Sequence, residues 1–231
     1  MGRGEVDRRR GAVVPLIGLS LVACIVQVVA TAAGWDWAGR AQWFAMPLLA
    51  LALVLAGGLR DPRGRWWLAG LVFSWAGDTL GGNGFLVLLG CFLVAHLCYL
   101  VTLWPSRARS VLGTAPMIGY LAVGGTGAAL IAPVAGGVLA APVVVYAAAL
   151  TMVAVLATAA GRAGVIGGIL FMFSDLTLAL GIFVIDIPAA LQTFLVMGTY
   201  VPAQALLLVG VLGQLGSAKD SGSPNAANRS R

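Results

Sequence analysis

Charge is what this chain has least of: 10% of its 231 residues are Asp, Glu, Lys or Arg, against 60% hydrophobic ones. With a mean hydropathy of +0.98, that balance excludes a soluble domain. Histidine occurs once, and the three cysteines (Cys24, Cys91, Cys98) all fall in apolar stretches with no partner in a polar loop. A disulfide framework and a zinc site are therefore not expected, and neither is a metal or other cofactor. Polar/apolar alternation is missing too, which excludes an outer-membrane type of barrel. No polar stretch is long enough to form a second domain. The net charge of +6 does not mark a nucleic-acid partner, because the arginines sit at loop ends rather than on one clustered face.

What the chain does have is apolar runs of bilayer-crossing length, about 20 residues at 1.5 Å each. They predict an all-α transmembrane protein, an eight-helix bundle with spans near residues 12–33, 42–59, 66–82, 84–104, 111–132, 138–160, 164–183 and 189–215. Residues 1–11 read as a basic cytoplasmic tail, 12–215 as the transmembrane domain and 216–231 as a disordered cytoplasmic tail rich in Ser, Asn and Gly. Ala30-Thr31-Ala32 resembles a signal cleavage site. The apolar run before it is longer than a usual signal core, so a retained first helix is expected. Small residues crowd the fifth span (Gly119, Gly124, Gly125, Gly127), which predicts a helix packed centrally, since small residues let backbones approach in lipid.

Charge also predicts orientation. With the N-terminus inside, thirteen of the 14 Lys and Arg residues fall on the inner side: the two tails, 60–65, 107–109 and Arg162. Only Arg40 falls outside. This positive-inside bias predicts an even number of spans, both termini cytoplasmic, in the cell (plasma) membrane.

Against that background two acids stand out. Asp78 and Asp175 are the only ones of eight acidic residues in the middle of apolar runs, and a carboxylate at that depth costs a few kcal/mol (about 3) even on lenient insertion scales. They end two echoing stretches, GLVFSWAGD (70–78) and GGILFMFSD (167–175), each with a glycine eight residues before the aspartate. The simplest geometry is two parallel four-helix halves, with both carboxyls at matching depth, about 16–20 Å from the cytoplasmic boundary. No Lys or Arg lies at that depth. Two close carboxyls without a cation cannot both ionise, so one shared proton is expected, a poised acid–base pair. His96 and Tyr99 share one helix face, as do Tyr200 and Gln204. Ser74 shares a face with Asp78, and Ser174 adjoins Asp175. These six are candidates to bind substrate or orient water.

Gly70-Leu-Val-Phe-Ser-Trp-Ala-Gly-Asp78 with His96-Leu-Cys-Tyr99, and Phe171-Met-Phe-Ser-Asp175 with Tyr200-Val-Pro-Ala-Gln204, resemble the two signatures of the YhhN/lysoplasmalogenase family. The resemblance covers about 12–215. Thr79-Leu80-Gly81-Gly82 and Val201-Pro202 depart from the family pattern. It implies an intramembrane hydrolase that cleaves the vinyl ether bond of lysoplasmalogens to a fatty aldehyde and a glycerophospho head group, with Asp78 and Asp175 as its acid–base pair. The substrate would be a lysophospholipid drawn from the bilayer. The alternative is a proton-coupled transporter using the same two aspartates.

The charge pattern makes a direct prediction. With the native cysteines replaced by alanine, Asn83→Cys reacts with an impermeant maleimide added to intact cells, and Arg162→Cys reacts only after permeabilisation. The reverse labelling would invert the orientation.

Overall fold

The computed structural model describes residues 3–221, with side chains over 11–217. Among the described residues the chain is helical throughout, with no strand. The helices are α1 (Arg3–Ala32), α2 (Ala45–Leu55), α3 (Pro62–Leu80), α4 (Phe85–Leu103), α5 (Met117–Ala135), α6 (Ala140–Ala157), α7 (Gly161–Phe183) and α8 (Ala189–Ser221). A 3-10 stretch, Ala38–Phe44, leads into α2. Six helical stretches are long and apolar enough to cross a membrane, so this is a helical membrane protein. One of the six, of 47 residues, holds both α6 and α7. Helix α3 is not among them; its 19 residues include Arg63, Arg65 and Asp78.

Local chemistry accounts for the breaks. Asp61 caps α3: its Oδ1 accepts from the Arg63 amide at 2.9 Å, and Pro62 takes the first helical position, where no amide hydrogen is needed. At Gly161 a φ of +70° separates α6 from α7, a conformation only glycine adopts freely. The second apolar segment is a shorter helix than expected, because Ala38–Phe44 winds as a 3-10 turn before Ala45. At both ends of the chain, helix extends into stretches read as tails. Helix α1 begins at Arg3 and α8 runs to Ser221; the rest of the expected C-terminal tail, 222–231, lies outside the described residues.

The helices pair as consecutive hairpins, α3 with α4 and α7 with α8 most intimately, α1 with α2 and α5 with α6 more loosely. Helix α8 also packs on α1, and α4 on α6, which closes the bundle around one large core. The echoing glycines are where the two tight hairpins press closest. A Cβ on Gly70 would run into the Tyr99 ring of α4. One on Gly167 would meet Leu207 Cγ at 3.0 Å and Ala203 O at 3.1 Å on α8.

Helix α5 departs from expectation. Rather than lying centrally, it is peripheral, burying only Gly127, Ile131 and Ala132. Gly119 and Gly125 face open space. Apolar surface in a bilayer needs no protein cover, so small residues on α5 do not force it inward.

Two glycine substitutions separate these environments. Gly70→Ala should destabilise the protein by about 1–3 kcal/mol through overpacking against Tyr99. Gly125→Ala should be neutral or slightly stabilising. Thermal unfolding in detergent measures both, and equal melting temperatures for the two variants would contradict the packing described.

Candidate functional site

Asp78 near the end of α3 and Asp175 in α7 line one cavity of about 330 Å³. It lies at the end of the bundle where α3 and α7 finish and α4 and α8 begin, with Gly81, Gly82 and Ala189 at its rim. The arginines of 60–65, 107–109 and Arg162 mark the opposite end of those helices. None of the residues lining the cavity is Lys or Arg.

Each carboxyl is held by a tyrosine. Tyr200 Oη donates to Asp78 Oδ2 at 3.2 Å. Tyr146, on α6, donates to Asp175 Oδ2. Among the described residues the other oxygen of each carboxyl has no hydrogen-bond partner, and neither oxygen is sealed from the cavity. Both acids thus keep one oxygen committed and one available.

His96 adds a third proton-binding group. Its Nδ1 lies 2.6 Å from the Phe92 carbonyl one turn earlier on α4. A carbonyl oxygen can only accept, so Nδ1 carries a hydrogen in either charge state, and the exchangeable position is Nε2. Nε2 is buried without a hydrogen-bond partner among the described residues, and it lies 3.8 Å from Asp175 Oδ2. Two unprotonated groups facing each other there would repel. One proton between His96 and Asp175 removes that conflict, as imidazolium with carboxylate or as neutral imidazole with carboxylic acid. The proton expected on the aspartate pair therefore has a specific local partner on the Asp175 side. Phe171 stacks on the imidazole at a centroid distance of 5.0 Å and holds its plane.

One turn toward the arginine end, Ser74, Tyr99 and Gln204 form a closed ring of hydrogen bonds. Tyr99 Oη donates to Gln204 Oε1 at 3.1 Å, Gln204 Nε2 donates to Ser74 Oγ at 3.3 Å, and Ser74 Oγ lies 3.1 Å from Tyr99 Oη. All three side chains are buried, and none of them lines the cavity. The structure thus separates the six secondary candidates. Tyr200 and Ser174 line the cavity, with Ser174 Oγ donating to the Val196 carbonyl at 3.1 Å. His96 stands directly behind Asp175. Ser74, Tyr99 and Gln204 make the floor beneath.

Three residues of this site were not anticipated. Tyr146 is one of four tyrosines, and its hydroxyl in an otherwise apolar run was the signal available. Gln27 and Gln42 are amides in apolar surroundings. Gln27 Nε2 donates to Gln42 Oε1 at 2.8 Å, and Gln42 Nε2 donates to the Asp78 carbonyl at 2.7 Å. Both glutamines line the cavity.

Two smaller apolar cavities, of about 60 and 50 Å³, adjoin on the other side. Ile131, Val143, Tyr146, Asp175 and Ala179 are common to both, whereas Asp78 borders neither. Phe85 and Phe183 meet edge-on at 4.8 Å at the rim of one of them. Asp175 therefore stands at the border between a polar cavity and an apolar one. Among the described residues no group of three His, Cys, Asp or Glu side chains is placed to hold a metal ion.

Among models of known protein families, that of the YhhN family matches residues 39–211. The matched span includes both aspartates, His96, Tyr146 and Tyr200, and leaves out α1 with Gln27. No curated protein and no solved structure matches the chain.

The two hydrogen-bonded layers should respond differently to substitution. Tyr99→Phe leaves buried partners on Ser74 and Gln204 unmatched and should cost about 1–3 kcal/mol of stability. Tyr146→Phe removes the donor to a carboxyl that itself still borders the larger cavity. It should cost less stability, while changing the pH dependence of any activity that uses Asp175. Melting temperatures and pH profiles of the two variants test the division; a larger stability loss in Tyr146→Phe would contradict it.

Proposed function

The chain belongs to the YhhN family, and from that premise we propose that it is an intramembrane hydrolase that opens the vinyl ether bond of lysoplasmalogens. The products are a fatty aldehyde and a glycerophospho head group. The observation that carries this reading is the position of Asp175: one side chain bordering both the polar cavity it shares with Asp78 and the apolar cavities beside α5 and α6. A vinyl ether has the same polarity, with the alkenyl chain on one side and the ether oxygen and glycerol on the other.

The chemistry follows from that alignment. Asp175, as the carboxylic acid, protonates the alkene carbon farther from oxygen, on the chain side, and an oxocarbenium ion forms. Asp78, as the carboxylate held by Tyr200, stabilises that cation and takes a proton from the water that adds to the carbon next to oxygen. The resulting hemiacetal collapses. Its hydroxyl proton returns to Asp175, the proton on Asp78 goes to the departing glycerol oxygen, and aldehyde is released. Both acids end as they began, and the net change is addition of one water. The logic is that of a carboxyl pair in glycoside hydrolysis. Tyr146 and His96 position Asp175 and hold its proton between turnovers.

The lipid is drawn sideways from the bilayer. In our reading the protein spans the plasma membrane eight times, as two four-helix halves with both termini cytoplasmic. The cavity then opens toward the outer face, opposite the arginines. The alternative, a proton-coupled transporter, needs a route to both faces. Two features argue against it: the closed ring of Ser74, Tyr99 and Gln204 below the cavity, and the unbroken course of α3 and α7 through both aspartates.

Purified protein in detergent should release fatty aldehyde from a lysoplasmalogen. Asp78→Asn and Asp175→Asn should each lower the rate by 10² or more, the usual scale for losing a general acid or base. A rate that falls on both the acid and the alkaline side of its optimum is also expected, since one carboxyl must be protonated and the other ionised. Folded Asn variants as active as the parent protein, or no aldehyde from the parent, would end the hydrolase reading.

A further inference from the structure

The two apolar cavities that meet at Asp175 lead in opposite directions along the bundle. One, between α4, α6 and α7, returns toward the rim, where Phe85 at the start of α4 and Ile182 and Phe183 at the end of α7 line it. The other, between α5, α6 and α7, runs away from the rim to Gly124, Leu150 and Met172. Each of these three lies fewer residues from the arginine end of its helix than Asp175 does from that of α7. Apart from Asp175 and Tyr146 the walls of this second cavity are apolar, and a dry apolar void takes an apolar group rather than water. It is also narrow, because α5 comes close on both sides. A side chain at Gly124 would run into Thr151 of α6, and one at Gly127 would meet Leu176 Cδ1 of α7 at 3.1 Å. Its volume of about 60 Å³ admits roughly four carbon-sized groups at about 15 Å³ each.

A lipid with its head group at the rim has its chain directed toward the middle of the bilayer, and only the second cavity has that direction. Gly124, Ala128 and Ala147 border this cavity and also a groove of about 280 Å³ on the outside of the same helix pair, where Leu121, Gly125 and Val144 are exposed. We propose that the cavity between α5, α6 and α7 holds the first few chain carbons beyond the reacting bond, and that later carbons leave past Ala128 and Ala147 into the groove. The protein then selects hydrocarbon that is unbranched next to the reacting bond and is indifferent to branching farther along. This selection deepens the hydrolase reading and rests on it for the identity and orientation of the lipid, but it can be measured without turnover.

The test is isothermal titration with three non-hydrolysable 1-alkyl glycerophosphocholines, in a sterol-based detergent that has no alkyl chain to compete. One chain is straight, one carries a methyl branch on its fourth carbon and one on its twelfth. The parent protein should bind the fourth-carbon branch roughly tenfold more weakly than the straight chain, the scale of one methyl group forced into a filled space. The twelfth-carbon branch should bind like the straight chain. Leu176→Ala, which widens only this cavity, should bind all three alike, whereas Phe85→Ala, which widens the other, should leave the discrimination in place. Ala147→Phe, at the shared border, should weaken the straight lipid by a similar factor. Rescue of the branched lipid by Phe85→Ala instead of Leu176→Ala would overturn the proposal. So would equal binding of the two branched lipids by the parent protein, which needs no variant to fold. If no aldehyde is released but the discrimination holds, the hydrolase reading fails and the chain site stands. If aldehyde is released without discrimination, the chain site fails alone.

Discussion

A carboxyl group in hydrocarbon must be given hydrogen bonds or lose its charge, and that constraint organises this molecule. Two aspartates in apolar helices create the demand, and three further helices meet it. Tyr200 of α8 serves Asp78 of α3, and Tyr146 of α6 serves Asp175 of α7. His96 of α4 stands behind the second carboxyl with its free nitrogen turned toward it. The helices around the core are thus arranged about polar groups, while the apolar side chains that dominate the composition supply packing without choosing partners. Removing either aspartate would relieve that cost and take away the acceptor of its tyrosine.

Much of the site could be read from the chain, because charge is rare enough in it to be informative. Asp78, Asp175 and His96 each stand alone in apolar surroundings, and face-sharing pairs three or four residues apart found Tyr200. Spacing along a helix identifies a face but not what lies against that face. Hence Ser74, Tyr99 and Gln204 were expected beside the substrate and instead make a sealed floor one turn below. Tyr146 and Gln27 escaped notice because their significance is wholly tertiary: one meets an aspartate 29 residues away, the other an amide 15 residues away.

The placement of α5 failed for a related reason. In water, small and apolar residues separate inside from outside; in lipid both faces of a helix can be apolar. Glycines on α5 therefore carried no directional information, and that helix lies at the edge. The echoing glycines at 70 and 167 were more informative. Their fixed distance from an aspartate tied close packing to the position of the site, and they are the points where α4 and α8 approach their partners.

The ring of Ser74, Tyr99 and Gln204 also divides the bundle mechanically. It pins α3, α4 and α8 to one another at mid-depth, and Ser174 ties α7 to α8. These hydrogen bonds join α3, α4, α7 and α8 into the frame that carries both carboxyls. Helices α5 and α6 sit on that frame largely through apolar contacts, with Tyr146 as their polar link to the site. Helix α5, which buries only three of its residues, lies outermost, whereas α6 reaches into the core. Tyr146 comes from α6, so the donor to Asp175 is only as fixed as the packing of α6 against α4 and α7.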